Sequence, residues 1–264
     1  MPTAKKRPRS YDPAKTRAAV LAQFAAVRTA VASLTPEQLA APTRLGDWTV
    51  RELAAHLTMA VTAVARGLDA PEPAKAELTP QDWPLSTAPY AQAVDENVTR
   101  LAAENDLAEL YADAAARIGQ ALADHPGDRV IATRTGAMKL TDYLATRTIE
   151  LIVHTDDLND ALPGLGIPYD RQALAACTRL LADALAARHP GGATEVRIPP
   201  YAVVQCIEGP RHTRGTPPNV VETDPLTWIR LATGRTAWSA ALDEAKVSAS
   251  GERADLAALL PVMS

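Results

Sequence analysis

The sequence predicts an α+β protein in which a bundle of four long helices precedes a smaller mixed α/β domain. Hydrophobic residues make up 47% of the 264 residues and aromatic residues only 4%, a balance that favours closely packed helices over sheets. Up to Gly166 the apolar residues recur mainly at helical spacing. Beyond Gly166, short β-like runs are mixed with short helical segments, which is typical of a small α+β domain.

The first two helices have clear start signals. Asp12 followed by Pro13 begins the first helix, because proline is tolerated at the first helical position. Thr49 and Glu52 have the spacing of a capping box at the start of the second helix. The predicted helical segments of the bundle are 12–33, 49–67, 89–123 with a break near Asn105, and 141–162.

A segment with several prolines, 69–89, connects the second and third of these helical regions. It shows no clear period and is long for a connection inside a compact domain. Because long connections of this kind often have a function, we expect a functional role for this segment, for instance as a lid over a site.

Strands and helices are mixed in the last third of the chain. One helix is predicted over 169–188, and Asp224 and Pro225 begin a short helix that ends at Gly234. A last helix is predicted over 253–260. The predicted strands are 195–198, 202–207, 220–222, 236–242 and 246–250.

Charge and composition argue against several classes of protein. The net charge of −4 gives no general attraction to nucleic acid or to anionic membranes, and no run of about 18 apolar residues indicates a membrane span. The basic N-terminal segment 1–11 is predicted to be a disordered, solvated tail. Cys177 and Cys206 match no zinc or redox spacing, so we expect reduced thiols and a cytoplasmic location.

Three residues stand out as candidate metal ligands. His56 shares the apolar face of the second helix with Leu53 and Ala60, and should therefore point into the bundle. Glu150 and His154 are four residues apart on the fourth helix, so they lie on one face of it. A glutamate on such an apolar helix needs a cation or a hydrogen-bond donor.

Two interpretations of these residues compete. In the first, Glu150 pairs with Arg147 and both histidines are hydrogen-bonded residues of the core. In the second, His56, Glu150 and His154 bind one divalent ion, since two histidines and a carboxylate are a common set of ligands that leaves positions for water or substrate. Asp156 and Asp157, which follow closely, are then candidates for orienting His154.

Two motifs of the bundle resemble a known family. Segment 46–56 reads GDWTVRELAAH and is similar to the G-W-T-V-R-D/E-L-x-x-H signature of the mycothiol-dependent maleylpyruvate isomerases. Segment 142–158 reads DYLATRTIELIVHTDDL and resembles the second hallmark of that family, R-x-x-E-x-x-x-H-x-x-D. The family belongs to the DinB-like metal-binding helical bundles, so the resemblance implies that His56, Glu150 and His154 bind zinc or a similar divalent ion.

The C-terminal part resembles sterol-carrier-like domains, which members of this family often carry. The resemblance rests on segments 224–235, which reads DPLTWIRLATGR, and 250–256, which reads SGERADL. The predicted domains are therefore a tail at 1–11, a DinB-like four-helix bundle at 12–166 and a sterol-carrier-like domain at 167–264.

A polar loop at 209–219 supplies further candidates. It is rich in proline, glycine and hydrogen-bond donors, which suits the binding of carboxylates or phosphates, although a merely solvated loop has the same composition. In the resembled family an arginine of the C-terminal domain helps catalysis, and Arg214 is the first candidate here and Arg230 the second. His212 is a candidate for orienting the substrate. Arg147 and Arg214 are candidates for binding anionic groups of the cosubstrate.

The resemblance implies a metal-dependent enzyme that uses a low-molecular-weight thiol, mycothiol, as cosubstrate. A thiol beside the metal ion would lose its proton and attack a small electrophilic substrate, giving isomerisation or S-transfer. One alternative is a sterol-carrier-like protein that binds a small molecule or lipid and has a structural metal. The other is a metal-assisted hydrolase with Asp157 as its base. The expected partners are a small substrate and the thiol, without nucleic acid or membrane, for a monomer or a homodimer.

Overall fold

The structure, a computed structural model, describes residues 9–125, 127–210 and 217–263. The first part is helical and contains α1 (Pro13–Val31), α2 (Pro36–Leu39), α3 (Val50–Asp69), α4 (Ala91–Glu104), α5 (Leu107–Asp124) and α6 (Leu140–Ala161), with a hairpin of β1 (Val130–Thr133) and β2 (Gly136–Lys139) preceding α6. The second part contains α7 (Arg171–Arg188), β3 (Thr194–Ile198), β4 (Ala202–Cys206), β5 (Val220–Thr223), α8 (Pro225–Ala232), α9 (Trp238–Asp243) and β6 (Val247–Ser250). The predicted α+β class is confirmed.

Side-chain caps fix where the long helices begin. Asp12 accepts a hydrogen bond from the Lys15 amide at the start of α1. Thr49 and Glu52 form the predicted capping box at the start of α3. Asp106 caps α5 and so separates α4 from α5 at the predicted break. These caps satisfy amides that the helices themselves leave without partners.

Helix α6 is the centre of the bundle. It packs against α1, α3 and α7 and is buried along most of its length, including Leu144, Ile149 and Ile152. Helix α3 also packs against α4 and α5, so α3 and α6 face each other inside the helical layer. None of the described helices is both long enough and apolar enough to cross a membrane.

The second part contains a four-stranded mixed sheet in the order β4-β3-β5-β6. Strand β3 is antiparallel to β4 and parallel to β5, and β5 is antiparallel to β6. Helix α7 contacts β4 and α8 and also contacts α1 and α6. Its buried residues Cys177, Leu181 and Leu185 therefore belong to one core that both parts share.

The prediction of a strand at 236–242 is wrong, because this segment contains helix α9. Its buried residues Trp238 and Ala241 are three positions apart, so they share one face of a helix and would lie on opposite faces of a strand. The surrounding residues are mostly exposed. Burial of this one face therefore decides the local structure.

The prediction of a helix over 253–260 is also wrong, since only a 3-10 turn forms there, at Ala257–Leu259. Ala254 and Leu256 are buried and the residue between them is exposed. That alternation is typical of extended chain. Two short elements, α2 and the β1–β2 hairpin, are absent from the predicted elements, because segments of four residues are too short to show a period.

Residues 9–11 differ from the disordered tail predicted for 1–11. Arg9 Nε lies 2.7 Å from Asp183 Oδ2 on α7, and Tyr11 packs against the core. The chain therefore becomes ordered before α1 begins. The rest of the predicted tail, 1–8, lies outside the described residues.

Candidate metal centre

Side chains from two helices meet at one point inside the bundle. His56 projects from α3, and Glu150 and His154 project from successive turns of α6. Glu150 Oε2 lies 3.1 Å from His56 Nε2 and 3.5 Å from His154 Nε2. The centroids of the two imidazole rings are 4.8 Å apart in an edge-to-face arrangement. The three side chains are only 12–13% exposed, so the cluster is enclosed but accessible to a small ligand.

The donor set fits a divalent ion such as zinc. One ligand atom from each of His56, Glu150 and His154 lies within 4.8 Å of the others. Imidazole nitrogens and a carboxylate oxygen are typical ligands of catalytic zinc, and tetrahedral coordination places neighbouring ligand atoms roughly 3.3 Å apart. The observed separations of 3.1 and 3.5 Å agree with that spacing. The residues present therefore suit the ion that the motif resemblance implies.

The pKa values of Glu150 and His56 favour a cation at this point. Burial alone would raise the pKa of Glu150, but hydrogen bonds from His154 and His56 outweigh it and hold that pKa well below its usual range. Burial lowers the pKa of His56, which favours the neutral imidazole that metal binding requires. Burial also acts to lower the pKa of His154, but its contacts with Asp157 and Glu150 prevail and raise it, so an ion bound at Nε2 would displace a proton from this ring.

Asp157 holds the imidazole of His154 from behind. Nδ1 of His154 donates to Asp157 Oδ2 over 2.8 Å, which leaves Nε2 directed at Glu150 and fixes the ring orientation. Arg44 Nε and Arg235 Nη2 lie 2.6 and 3.0 Å from the Asp157 oxygens. Burial would raise the pKa of Asp157, but hydrogen bonds from His154 and Arg235 hold it well below its usual range. Asp157 is therefore a buried anion whose two carboxylate oxygens are bound by His154, Arg44 and Arg235.

The adjacent carboxylate, Asp156, joins the two parts of the chain. Arg230 on α8 binds it through two nitrogens at 2.7 and 2.9 Å. Arg44 Nη2 lies 2.7 Å from Asp156 Oδ2, and the Tyr169 hydroxyl donates to Oδ1 over 2.9 Å. Through Asp156 and Asp157, arginines of the second part are thus connected to a candidate metal ligand of the first.

A cavity of about 740 Å³ opens beside the three candidate ligands. Its walls are mostly apolar and aromatic. They include Trp48, Met59, Ala60, Ala63, Trp83, Tyr90, Val94, Tyr143 and Met263. Trp48 packs against His56 at 5.1 Å between ring centroids and donates its Nε1 hydrogen to Asp95 over 2.6 Å. Trp83 and Tyr90 come from the connection between α3 and α4, so part of the segment predicted as a lid forms a wall of this cavity.

Arg147 lines the same cavity and acts on Glu150 only by a coulombic interaction that helps to lower its pKa. Its guanidinium stacks on the rings of Trp83 and Tyr143 and donates to Thr146 Oγ1. In the part of the chain that the structure describes, no ion pair joins Arg147 to Glu150. The interpretation in which these two residues form a structural pair is therefore wrong.

Comparison with known proteins identifies the family. The family model described as the mycothiol maleylpyruvate isomerase N-terminal domain matches residues 20–159, which is more than half of the chain. The chain belongs to this family. A second family model, described as the bacterial SCP ortholog, matches residues 170–262. The predicted family, with a sterol-carrier-like C-terminal part, is thereby confirmed.

Solved structures share the fold over nearly the whole chain. The crystal structure of the mycothiol-dependent maleylpyruvate isomerase has a TM-score of 0.60 and 15% sequence identity, and the match covers 91% of this chain and 93% of that one. A histidine-to-alanine mutant of that enzyme gives a TM-score of 0.61 at the same identity and coverage. No curated protein matches the chain. At this identity the likeness establishes the fold.

Of the remaining predicted site residues, only Arg230 lies within the described part of the chain. Arg230 is not among the residues that line the cavity, because its guanidinium binds Asp156. Arg214 and His212 lie outside the described residues.

Two residues that hold the site together are not predicted from the sequence. They are Arg44, from the loop before α3, and Arg235, from the turn after α8. The signal that points to them is the pair Asp156 and Asp157 on an otherwise apolar helix, since buried carboxylates need cations or donors. The sequence gives no indication of which arginines supply them.

Proposed function

We propose that this chain is a metal-dependent enzyme that uses a low-molecular-weight thiol, mycothiol, in an isomerisation or S-transfer on a small electrophilic substrate. The observation that carries the proposal is the His56, Glu150 and His154 cluster at the wall of a cavity of about 740 Å³. Family membership supports the same assignment. The named relatives act with mycothiol, and this chain shares their fold.

We assign the binding of the ion, zinc in the first instance, to His56 Nε2, Glu150 Oε2 and His154 Nε2. A divalent ion supplies positive charge that stabilises a thiolate at neutral pH, which makes the sulfur a nucleophile. Three protein ligands are the number found in catalytic zinc sites, whereas structural sites have four.

The surrounding residues would hold the reactants and keep bulk water away. Asp157 fixes the orientation of His154, and Trp48 packs on the ring of His56. The aromatic walls leave the three ligands mostly buried, and a low-dielectric environment strengthens each electrostatic interaction. We assign Arg214 to the anionic groups of the reactants and His212 to substrate orientation. Arg230 would act through Asp156, since its Nε and Nη2 both donate there.

The carrier alternative has one observation in its favour, the apolar cavity. The lining of that cavity comes from the helical part, and among the described residues Met263 alone represents the sterol-carrier-like part. An apolar ligand in this cavity would contact the three candidate metal ligands directly. A purely structural ion at the edge of an open cavity would be unusual, so we favour catalysis.

The hydrolase alternative is weakened by the environment of Asp157. A general base needs a pKa near the working pH, but hydrogen bonds hold the pKa of this buried carboxylate well below its usual range. His154, Arg44 and Arg235 occupy its oxygens. Asp157 is therefore suited to positioning His154 and unsuited to removing a proton from water.

We propose a cytoplasmic location for a monomer or homodimer that acts on small molecules. Cys177 and Cys206 are buried free thiols, as expected in a reducing compartment.

The test is thiol consumption with mycothiol and a set of electrophiles, measured before and after chelation and metal reloading. We expect activity that requires the ion, and a loss of more than about 100-fold in Glu150→Gln, since even outer-sphere partners of metal ligands contribute about 10–100-fold. Glu104→Gln, at the exposed end of α4, is the matched control and should keep full activity. Full turnover by Glu150→Gln, or turnover of a hydrolysable ester without any thiol, would overturn the assignment.

A further inference from the structure

Arg147 is a buried cation with no carboxylate at ion-pair distance among the described residues, although Glu150 one turn away is near enough for a coulombic interaction with it. Arg147 is only 5% exposed. Its guanidinium carbon lies 4.6 Å from the Trp83 ring centroid and 4.3 Å from the Tyr143 ring centroid. No carboxylate of the described chain forms an ion pair with it. Buried charges in proteins are normally paired, so a counter-ion from outside the chain is the expected partner.

The free edge of this guanidinium is suited to a planar anion. Nε and Nη2 both donate to Thr146 Oγ1, at 3.2 and 3.0 Å, whereas Nη1 has no hydrogen-bond acceptor among the described residues. The Trp83 and Tyr143 rings both stack on the guanidinium, which leaves the edge at Nη1 as the part available to a ligand. A carboxylate meets an arginine in that plane through two parallel hydrogen bonds.

The position of Arg147 connects this anion site to the reaction centre. Arg147 is three residues before Glu150 on α6, so the two side chains lie on neighbouring turns of one helix face. Both line the cavity that also contains His56 and His154. A molecule held by Arg147 would therefore have its uncharged part close to the three candidate metal ligands.

The rest of the cavity is suited to an apolar body. Met59, Ala60 and Ala63 of α3 and Val94 of α4 form one side, and the volume of about 740 Å³ is within the range of roughly 300–1,000 Å³ found for sites of drug-sized ligands. A short aliphatic dicarboxylate would leave most of these apolar walls uncovered. An aromatic or similarly bulky hydrocarbon group would cover them.

We propose that the cavity binds a largely apolar, preferably aromatic, monocarboxylate and that Arg147 binds its carboxylate. The inference rests on the proposed function in so far as this molecule is the electrophile. The binding itself requires neither thiol nor turnover. Arg66 and Arg134 also line the cavity, are exposed, and have no anionic partner among the described residues, so they add positive charge at its entrance.

The experiment measures binding to the metal-loaded full chain by quenching of tryptophan fluorescence, because Trp48 and Trp83 line the cavity. The probes are 2-naphthoate, its neutral analogue 2-naphthamide, and maleate as a short dicarboxylate. We expect naphthoate to bind about tenfold or more tightly than naphthamide, as hydrogen bonds to charged groups predict. Maleate should bind more weakly than naphthoate.

The variant Arg147→Gln should remove the preference for naphthoate over naphthamide while its metal content, measured in parallel, stays at the wild-type level. Arg117→Gln is the matched control, since Arg117 is exposed on α5 and pairs with Asp69 away from the cavity, and it should keep the preference. Arg147→Lys retains the charge without the planar donor pair, so we expect a reduced preference.

Three results would overturn the proposal. They are an undiminished preference in Arg147→Gln with metal retained, an undiminished preference in Arg147→Lys should the glutamine variant not fold, and tighter binding of maleate than of naphthoate. Naphthoate binding with no thiol reaction would contradict only the proposed function. Thiol reaction without naphthoate binding would contradict only the present inference.

Discussion

At the scale of single residues, the neighbouring carboxylates Asp156 and Asp157 determine how the candidate metal ligand His154 is held. Both are almost fully buried on α6, and each is bound by arginines. Removing one member of such a buried ionic group leaves the other charges without partners, which is strongly destabilising. The side chain of His154 is therefore positioned by charges that come from three separate regions of the chain.

The variant Asp157→Asn tests this positioning. It removes the negative charge that Arg44 and Arg235 pair with, so we expect a loss of about 3–5 kcal/mol in the free energy of unfolding. It also weakens the hydrogen bond from His154 Nδ1, so we expect a loss of about 10–100-fold in metal affinity. Urea unfolding and competition with a chelator measure the two quantities. The control is Asp160→Asn on the same helix, whose side chain is 51% exposed and 3.5 Å from Arg44, with an expected cost below about 1 kcal/mol. Metal affinity in Asp157→Asn equal to the wild type would contradict a positioning role.

The sequence was informative about these residues only where local spacing carried the signal. Glu150 and His154 could be placed on one helix face from their separation, and His56 from the apolar face around it. The partners of Asp156 and Asp157 could not be found in this way. Arg44 precedes them by more than 100 residues and Arg235 follows them by more than 70, and helical periodicity carries no information about contacts over such separations.

At the scale of the elements, α3 contributes His56 to the candidate metal ligands and several residues to the wall of the cavity. It also packs closely on the hairpin strand β1. Gly67 lies at this contact. A Cβ atom there would be 2.8 Å from the carbonyl oxygen of Ala132 and 3.2 Å from Cδ1 of Ile131. Backbone on the opposing strand cannot easily move away, so only glycine permits the approach.

The variant Gly67→Ala is expected to destabilise the protein by about 1–3 kcal/mol, the usual cost of overpacking. Gly119→Ala on α5 is the matched control, because a Cβ at Gly119 meets nothing within 4 Å, and it should be stabilising by about 0.5–1 kcal/mol. Denaturant unfolding of both variants provides the comparison. Equal stability of the two variants would show that the close approach of α3 to β1 is not a constraint.

The elements that the sequence predicts well are those with a local start signal. Asp12, Thr49 and Asp224 each cap a helix where the sequence places its beginning, and Asp106 caps α5 at the predicted break. Helix α9 has no capping side chain. Which of its faces is buried depends on its packing against strand β6. Its identity as a helix therefore follows from tertiary packing, which the local sequence does not contain.

At the scale of the whole molecule, α7 makes the two parts one folding unit. It packs on α1 and α6 on one side and on β4 and α8 on the other, and Arg230 and Arg235 cross the same boundary to Asp156 and Asp157. The proposed domain boundary near residue 166 lies between the segments that the two family models match. The hydrophobic core nevertheless continues across this boundary.

We therefore expect a single cooperative unfolding transition for the full chain. Scanning calorimetry should give equal calorimetric and van't Hoff enthalpies, the criterion of two-state unfolding. A fragment that ends at residue 166 should lack this transition, because it exposes the faces of α1 and α6 that α7 covers and leaves the two aspartates without Arg230 and Arg235. Two resolved transitions in the full chain would contradict a shared core.

The central claim is that His56, Glu150 and His154 together bind one divalent ion. The most direct measurement is the metal content per chain after reloading with zinc and removal of excess, for the wild type and for His56→Ala, Glu150→Gln and His154→Ala. We predict one equivalent for the wild type and a large loss in each variant, with folding checked by circular dichroism. A wild type that takes up no ion, or three folded variants that each retain a full equivalent, would contradict the claim.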